Sequence, residues 1–289
     1  MQAIYDLPAP AKINLFLHIT GRRSDGYHLI QSVFALLDWA DILHLETRSD
    51  GGISREDLTL ALPKDDLCTR AARALQQATG CQRGVHIGIA KSVPAQAGMG
   101  GGSSDAATVL LGLNRLWDLK LSLSQLISIG LTLGADVPFF LAGRNAWVEG
   151  VGEKISPITL PVAHLVVVKP DQGLDTREIF ADPALKRDSE PAILSGFAAN
   201  AYGFGRNDLQ PVAQRLCPGV TEALHWLQTQ GLQGRMTGSG SAVFAPMLHA
   251  IDLQNVPPGL QARQCKSLEV HPLSGWADSE GLSVGSFGC

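Results

Sequence analysis

Along residues 12–20 the chain alternates strictly, with Ile13, Leu15, Leu17 and Ile19 on one face and Lys12, Asn14, Phe16 and His18 on the other. A period of two predicts a strand with one face buried. The turn-rich segment 21–26 interrupts it, and the apolar run 29–37, after Tyr27 and His28, predicts a further strand. Residues 69–78 read as a short helix and 85–89 as a strand. A loop over 94–102 follows, then a helix over 103–119 with apolar residues at 106, 107, 110, 113 and 117. Another helix is predicted over 124–133. The segment Gly134-Ala135-Asp136-Val137-Pro138 ends it before a short one, because proline suits a first helical turn. Beyond that, 147–152 reads as the end of a strand, 157–161 as a linker and 165–168 as the start of a new strand. A helix over 220–230 and a turn-then-strand over 231–245 follow. The pattern predicts two domains, 1–156 and 157–289, the second a smaller α+β unit whose Gly- and Ser-rich tail, 274–289, is expected to be poorly ordered.

Composition narrows the class. With 289 residues, 45% of them hydrophobic and 17% charged, the chain has enough apolar material for a globular core. Lys and Arg number 23 and Asp and Glu 27, so the net charge of −4 lacks the basic footprint of a protein that binds nucleic acid or an anionic membrane. A local basic pocket for a small anion is still allowed. The five cysteines are odd in number, widely spaced and never paired as C-x-x-C, which points to neither a disulfide framework nor a zinc site and fits a reducing compartment. The N-terminus lacks a signal-peptide pattern and no apolar stretch reaches membrane-span length, so a cytoplasmic protein is expected.

The 31 glycines are concentrated in short clusters. The densest is Pro94-Ala95-Gln96-Ala97-Gly98-Met99-Gly100-Gly101-Gly102-Ser103-Ser104, which opens onto the predicted helix. Without side chains, successive N–H groups can converge on an oxyanion, and a helix N-terminus adds favourable partial charge, so the segment has the physics of a phosphate cradle. Ser103 and Ser104 are expected to cap that helix. No Lys-Ser/Thr pair closes the loop as in a Walker A motif, and Asp105 stands where the dinucleotide fingerprint needs glycine. Lys12 is either a surface lysine or the cation that a phosphoryl-transfer site requires. Asp136 can cap the helix after it or accept a proton from a substrate hydroxyl. Tyr27 and His28 suit either packing or contact with a base or sugar. The second cluster, Thr237-Gly238-Ser239-Gly240, lacks the spacing of a hydrolase nucleophile elbow and reads as a tight loop near phosphate or near the first glycine loop.

In order and spacing, Lys12-x-Asn14, the loop from Pro94 to Ser104, Ala135-Asp136-Val137-Pro138 and Thr237-Gly238-Ser239-Gly240 resemble the motifs of the GHMP kinase superfamily. Pro10-Ala11-Lys12-Ile13-Asn14-Leu15, Gly26-Tyr27-His28, Gly100-Gly101-Gly102-Ser103-Ser104-Asp105-Ala106-Ala107 and Asn207-Asp208-Leu209 are similar to its branch acting on cytidine diphosphate-linked methylerythritol. The resemblance covers residues 8–245. It implies an α+β, two-domain fold: an N-terminal ATP-binding domain with a left-handed β-α-β crossover, against the usual hand, and a smaller C-terminal α+β domain. It implies ATP-dependent phosphorylation of that substrate's 2-hydroxyl in the non-mevalonate route to isoprenoid precursors, with ATP and the cytidylated alcohol as small-molecule partners. By position, it makes Lys12 and Asp136 the catalytic pair and the loop from Pro94 to Ser104 the triphosphate site. It makes Tyr27, His28 and Phe180 the holders of cytidine, with Asn14 and Thr176 as lesser substrate contacts. Mg²⁺ is expected with ATP, with no ligand set assigned. Met99 stands where the family usually has Leu, a volume-conserving swap. Asp66 stands near the expected adenine pocket where the family often has Asn, and an ionised carboxylate only accepts hydrogen bonds.

Overall fold

The computed structural model describes residues 2–277. Its backbone is a long antiparallel ribbon, β1 (Ala3–Arg22) and β2 (His28–Arg48), joined by the turn that carries Tyr27. β3 (Ile53–Asp57), α1 (Leu67–Thr79) and β4 (Gly84–Ala90) follow as a crossover unit, β3 and β4 running parallel. Three helices come next, α2 (Gly101–Leu116), α3 (Leu123–Leu131) and α4 (Val137–Ala142), then the strands β5 (Ala146–Gly150) and β6 (Lys154–Pro157). The remainder comprises β7 (His164–Pro170), α5 (Thr176–Ala181), α6 (Leu194–Ala198), α7 (Gln210–Leu216), α8 (Pro218–Thr229), β8 (Arg235–Met236), β9 (Val243–Met247) and β10 (Leu260–Leu268). No helix among the described residues is long and apolar enough to cross a membrane.

β2 organises the sheet. One of its edges carries β1 along nearly its whole length, while the other carries β5, then β10, then β4 in succession. β10 continues through β7 and β9 to β8, so the last strand ties the C-terminal layer to the N-terminal one. The expected boundary at 156 falls inside β6, which pairs with β5. Residues 274–277, the start of the tail expected to be poorly ordered, close a turn onto His271, and Trp276 stacks under Arg115. Residues 278–289 of that tail lie outside the described residues.

The helix ends follow local chemistry. The Asp66 side chain caps α1 by accepting the Thr69 N–H at 2.7 Å, and Gly80, left-handed at φ 69°, closes it. Ser122 and Gln125 form a capping box on α3. α2 begins at Gly101, two residues earlier than predicted. Its N-cap is Gly100 in the left-handed region, so Ser103 and Ser104 lie inside the first turn and do not cap.

The prediction of a half-buried strand at 12–20 is also corrected. Lys12, Asn14, Phe16 and His18 are buried as thoroughly as the apolar face, because β1 is covered from both sides. Leu43, Leu45 and Ile87 join the core under α1 and α2. Ile13, Leu15 and Phe16 join a second core between the layers, and Leu17 and Ile19 a third, beneath α7 and α8. The edge of β1 that lacks β2 is taken at Leu17 by the segment around Asn207: Leu17 N–H donates to Arg206 O at 2.9 Å and Asp208 N–H to Leu17 O at 2.8 Å.

Candidate active site

A cavity of about 1120 Å³ opens between the two layers. β1 brings Lys12 and Asn14 to it, the turn before α4 brings Asp136, the β1–β2 turn brings Tyr27 and His28, and α5 brings Thr176 and Phe180. The residues from Pro94 to Ser103 line it as well. Ser104 does not. It is fully buried in α2, with its Oγ unpartnered.

Lys12 is no surface lysine, being only 3% exposed. Its Nζ donates to Asn14 Oδ1 at 2.7 Å, lies 3.5 Å from Asp136 Oδ2 and sits 4.4 Å from the centre of the Phe34 ring. Asn14 Nδ2 donates to Ser32 Oγ at 2.9 Å, which fixes the amide with its oxygen toward the ammonium. Asp136 occupies the N-cap position of α4 but makes no side-chain cap bond. Of its two sequence readings, the cap is not realised, and the carboxylate faces Lys12 with about a third of its side chain open to the cavity (32%).

The glycine loop is held from behind by the second glycine cluster. Lys12 N–H donates to Met99 O at 3.0 Å, and Ser241 N–H donates to Gln96 O at 3.1 Å. Thr237 Oγ1 accepts the Asn14 N–H at 2.9 Å and donates to Gly98 O at 3.4 Å. Asn207 Nδ2 donates to both Met236 O and Gly238 O at 2.8 Å, which shapes that second loop. Gly98 and Gly238 meet backbone to backbone: a Cβ on Gly98, whose φ is 71°, would lie 2.2 Å from Thr237 O. Thr237 was read from the sequence only as part of a tight glycine loop, and Ser32 was not singled out, because the role of each depends on a partner elsewhere in the chain.

At the other end of the cavity the His28 and Phe180 rings stack at 5.0 Å and 34°. His28 Nε2 accepts from Arg187 Nε at 3.0 Å. Burial, then the positive charges of Arg187 and Arg22, lower its pKa, which favours a neutral ring. Tyr27 is 64% exposed at the rim and makes no ring stack with that pair. Thr176 Oγ1 is 2.7 Å from Ser239 Oγ, so the second glycine loop touches this end too. Asp66 lines the cavity with Leu62, Leu67 and Cys68. Its carboxylate is already engaged as the cap of α1 and in an ion pair with Arg55.

For Mg²⁺ the donor set does not fit a protein-built cage. Among the described residues there is no group of three or more His, Cys, Asp or Glu placed to hold a metal, and Asp136 stands beside an ammonium. The ion ordinarily keeps several waters and is held largely through substrate phosphates.

A glycine loop running into a helix, set beside a buried lysine and a carboxylate, defines the class: a small-molecule kinase. Family models agree, "GHMP kinases N terminal domain" matching residues 66–144 and "GHMP kinases C terminal" residues 189–258. The chain is 70% identical to the 4-diphosphocytidyl-2-C-methyl-D-erythritol kinase of Albidiferax ferrireducens, covering 99% of this chain and 100% of that one. It is 66% identical to the same-named kinase of Paracidovorax citrulli, covering 97% and 100%. A crystal structure of 4-(cytidine 5'-diphospho)-2C-methyl-D-erythritol kinase superposes with a TM-score of 0.78 at 35% identity, over 90% of this chain and 98% of that one. The chain belongs to the 4-diphosphocytidyl-2-C-methyl-D-erythritol kinase family of GHMP kinases. Mevalonate kinase from L. major, at 17% identity and a TM-score of 0.66 over 91% and 96% of the two chains, shares the fold alone.

Proposed function

We propose that this enzyme transfers the γ-phosphoryl group of ATP to the 2-hydroxyl of 4-diphosphocytidyl-2-C-methyl-D-erythritol, releasing ADP. One observation carries the reading: the Lys12–Asp136 pair, the glycine loop and the His28–Phe180 stack face a single cavity. An alcohol is far too weak an acid for a carboxylate to ionise beforehand. Asp136 therefore orients the hydroxyl and takes its proton as the oxygen–phosphorus bond forms and the bond to the bridging oxygen of ADP breaks. Lys12, oriented by Asn14, offsets the negative charge on the γ-phosphoryl oxygens. The backbone N–H groups between Ala95 and Ser103 receive the triphosphate.

The aromatic end supplies position. Cytosine against Phe180, His28 and Tyr27, with Thr176 held by Ser239, anchors the acceptor far from the reacting hydroxyl, and such remote binding lowers the cost of alignment. ADP release measured with the cytidylated alcohol, homoserine, mevalonate and galactose tests the reading. Turnover confined to the cytidylated acceptor, and lost in Asp136→Asn, supports it. Turnover of another acceptor in its place overturns the assignment of Tyr27, His28 and Phe180.

A further inference from the structure

Beneath the first turn of α2, apart from the groups used above, three charged side chains are buried together. Lys91, just past β4, donates from Nζ to Asp41 Oδ2 on β2 and to Asp105 Oδ2 on α2, the latter at 2.6 Å. All three side chains are more than nine-tenths buried. Lys91 and Asp105 line the cavity, and Lys91 Nζ lies 3.5 Å from where a Cβ on Gly101 would stand. The trio is therefore packed against the loop that receives the triphosphate.

The two carboxylates are not equivalent. Asp41 is fully supplied as an anion: Oδ1 accepts the Ser92 N–H at 2.5 Å and the Val93 N–H at 2.8 Å, and Oδ2 takes the ammonium. Asp105 has Lys91 on Oδ2 alone, and its Oδ1 is buried with no partner. One ammonium cannot neutralise two buried carboxylates, and a buried charge without compensation is less favourable than the neutral acid. Burial pushes the Asp105 carboxyl up to about 8, with Lys91 opposing the shift and Asp41 adding to it. Burial acts to lower Lys91, but the two carboxylates outweigh it and raise its pKa, so the ammonium stays charged. From α1 the group facing Asp105 is the Cys68 thiol, held well above its usual range by burial and by Asp105. Beyond it lies the Asp66–Arg55 ion pair, and near the glycine loop are Lys12 and Asp136, paired with each other.

We propose that Asp105 is the neutral member of this trio, and that its ionisation weakens the hold of the site on ATP. With the proton in place the trio carries no net charge. Without it, one negative charge is left uncompensated beneath the triphosphate loop. The coupling is reciprocal, so ATP binding draws a proton onto Asp105. The inference rests on the kinase reading above and gives Asp105 a positioning role, since it acts through the charge of the site.

Isothermal calorimetry with MgATP, from about pH 7 to about 9.5, tests it, because the terminal phosphate, with a last pKa of roughly 6, is ionised throughout. The wild-type Kd is expected to hold steady to about pH 8 and then rise by up to roughly tenfold per pH unit. Two buffers of different ionisation heat will show proton uptake on binding near the break. In Asp105→Asn the rise disappears, because the amide does not titrate. In Asp41→Asn, loss of the like charge moves the break to lower pH. A flat wild-type Kd without proton uptake, or the same break in Asp105→Asn, overturns the inference. The two-buffer comparison needs only the wild type, so a variant that fails to fold does not shield the idea. Absence of ATP binding at every pH would instead overturn the kinase reading, and this inference with it.

Discussion

At the scale of single residues, the proposed catalysis depends on two side chains, and Lys12 is held in place by groups that do no chemistry. Lys12 is aimed by Asn14, which is aimed in turn by Ser32, so the ammonium needs no reorganisation as charge shifts among the γ-phosphoryl oxygens. Asp136→Asn keeps the shape and removes the proton acceptor. Its kcat should fall by roughly 10²–10⁴-fold with little change in KM for either substrate, which steady-state kinetics will show. Tyr27→Ala should act oppositely. Loss of about 1–3 kcal/mol of stacking on the base raises KM for the cytidylated acceptor roughly 5- to 150-fold while ATP binding is spared. Unchanged kinetics would remove Tyr27 from the site. The glycine loop and Lys12 were legible as candidates from residue type and spacing, while Asn14 entered only through the family resemblance, as a substrate contact. Asp105 was legible as a break in the dinucleotide pattern and as part of the resembling stretch, with no role of its own, since its meaning depends on Asp41, 64 residues upstream.

At the scale of elements, the site is two loops pressed together. The loop from Pro94 to Ser103 carries the amides, and the loop from Thr237 to Gly240 carries the support, touching Gly98 on one side and Thr176 on the other. Gly98 is required twice over, by its positive φ and by the nearness of the Thr237 carbonyl. Gly98→Ala should lower stability by at least about 1–2 kcal/mol, read from urea unfolding, and raise KM for ATP as the two loops separate. An unaltered urea midpoint would mean that the two loops separate without cost. α2 depends on a similar close approach, for a Cβ on Gly112 would lie 2.5 Å from Leu45 Cδ1. The helices predicted from apolar spacing are present, with ends shifted by a few residues. β3 and β10 were not anticipated: β3 is a short strand at the edge of the sheet, and β10, although it runs between β2 and β7, is mostly polar and shows no clean apolar alternation.

At the scale of the whole molecule, the chain closes on itself. β10 returns to β2, and the segment after it docks His271 against Gly143 at the end of α4. Burial lowers the His271 pKa to about 4, from an ordinary 6.5. Between these values the unfolded chain binds a proton that the folded one does not, so stability falls as pH drops through this window. One such group accounts for about 3 kcal/mol by pH 4. Urea unfolding of the wild type between about pH 7 and 4 should show that loss, and His271→Gln, which cannot titrate, should lose less. Equal pH dependence in both proteins would exclude His271 as the cause.

The sequence by itself determined the class. The first glycine loop carries its physical meaning within a few residues, whereas Lys12, Asp136 and the second glycine cluster each kept two readings, and it is their order along the chain that resembles one family. Tertiary structure alone decided whether Lys12 is buried, that Asp136 faces it instead of capping α4, that Ser104 turns into the core, and that two carboxylates share one ammonium beneath the nucleotide loop. Those are properties of distance and desolvation. They arise only where β1, β2, β4, α2 and the turn before α4 meet, and no local pattern of residues encodes them.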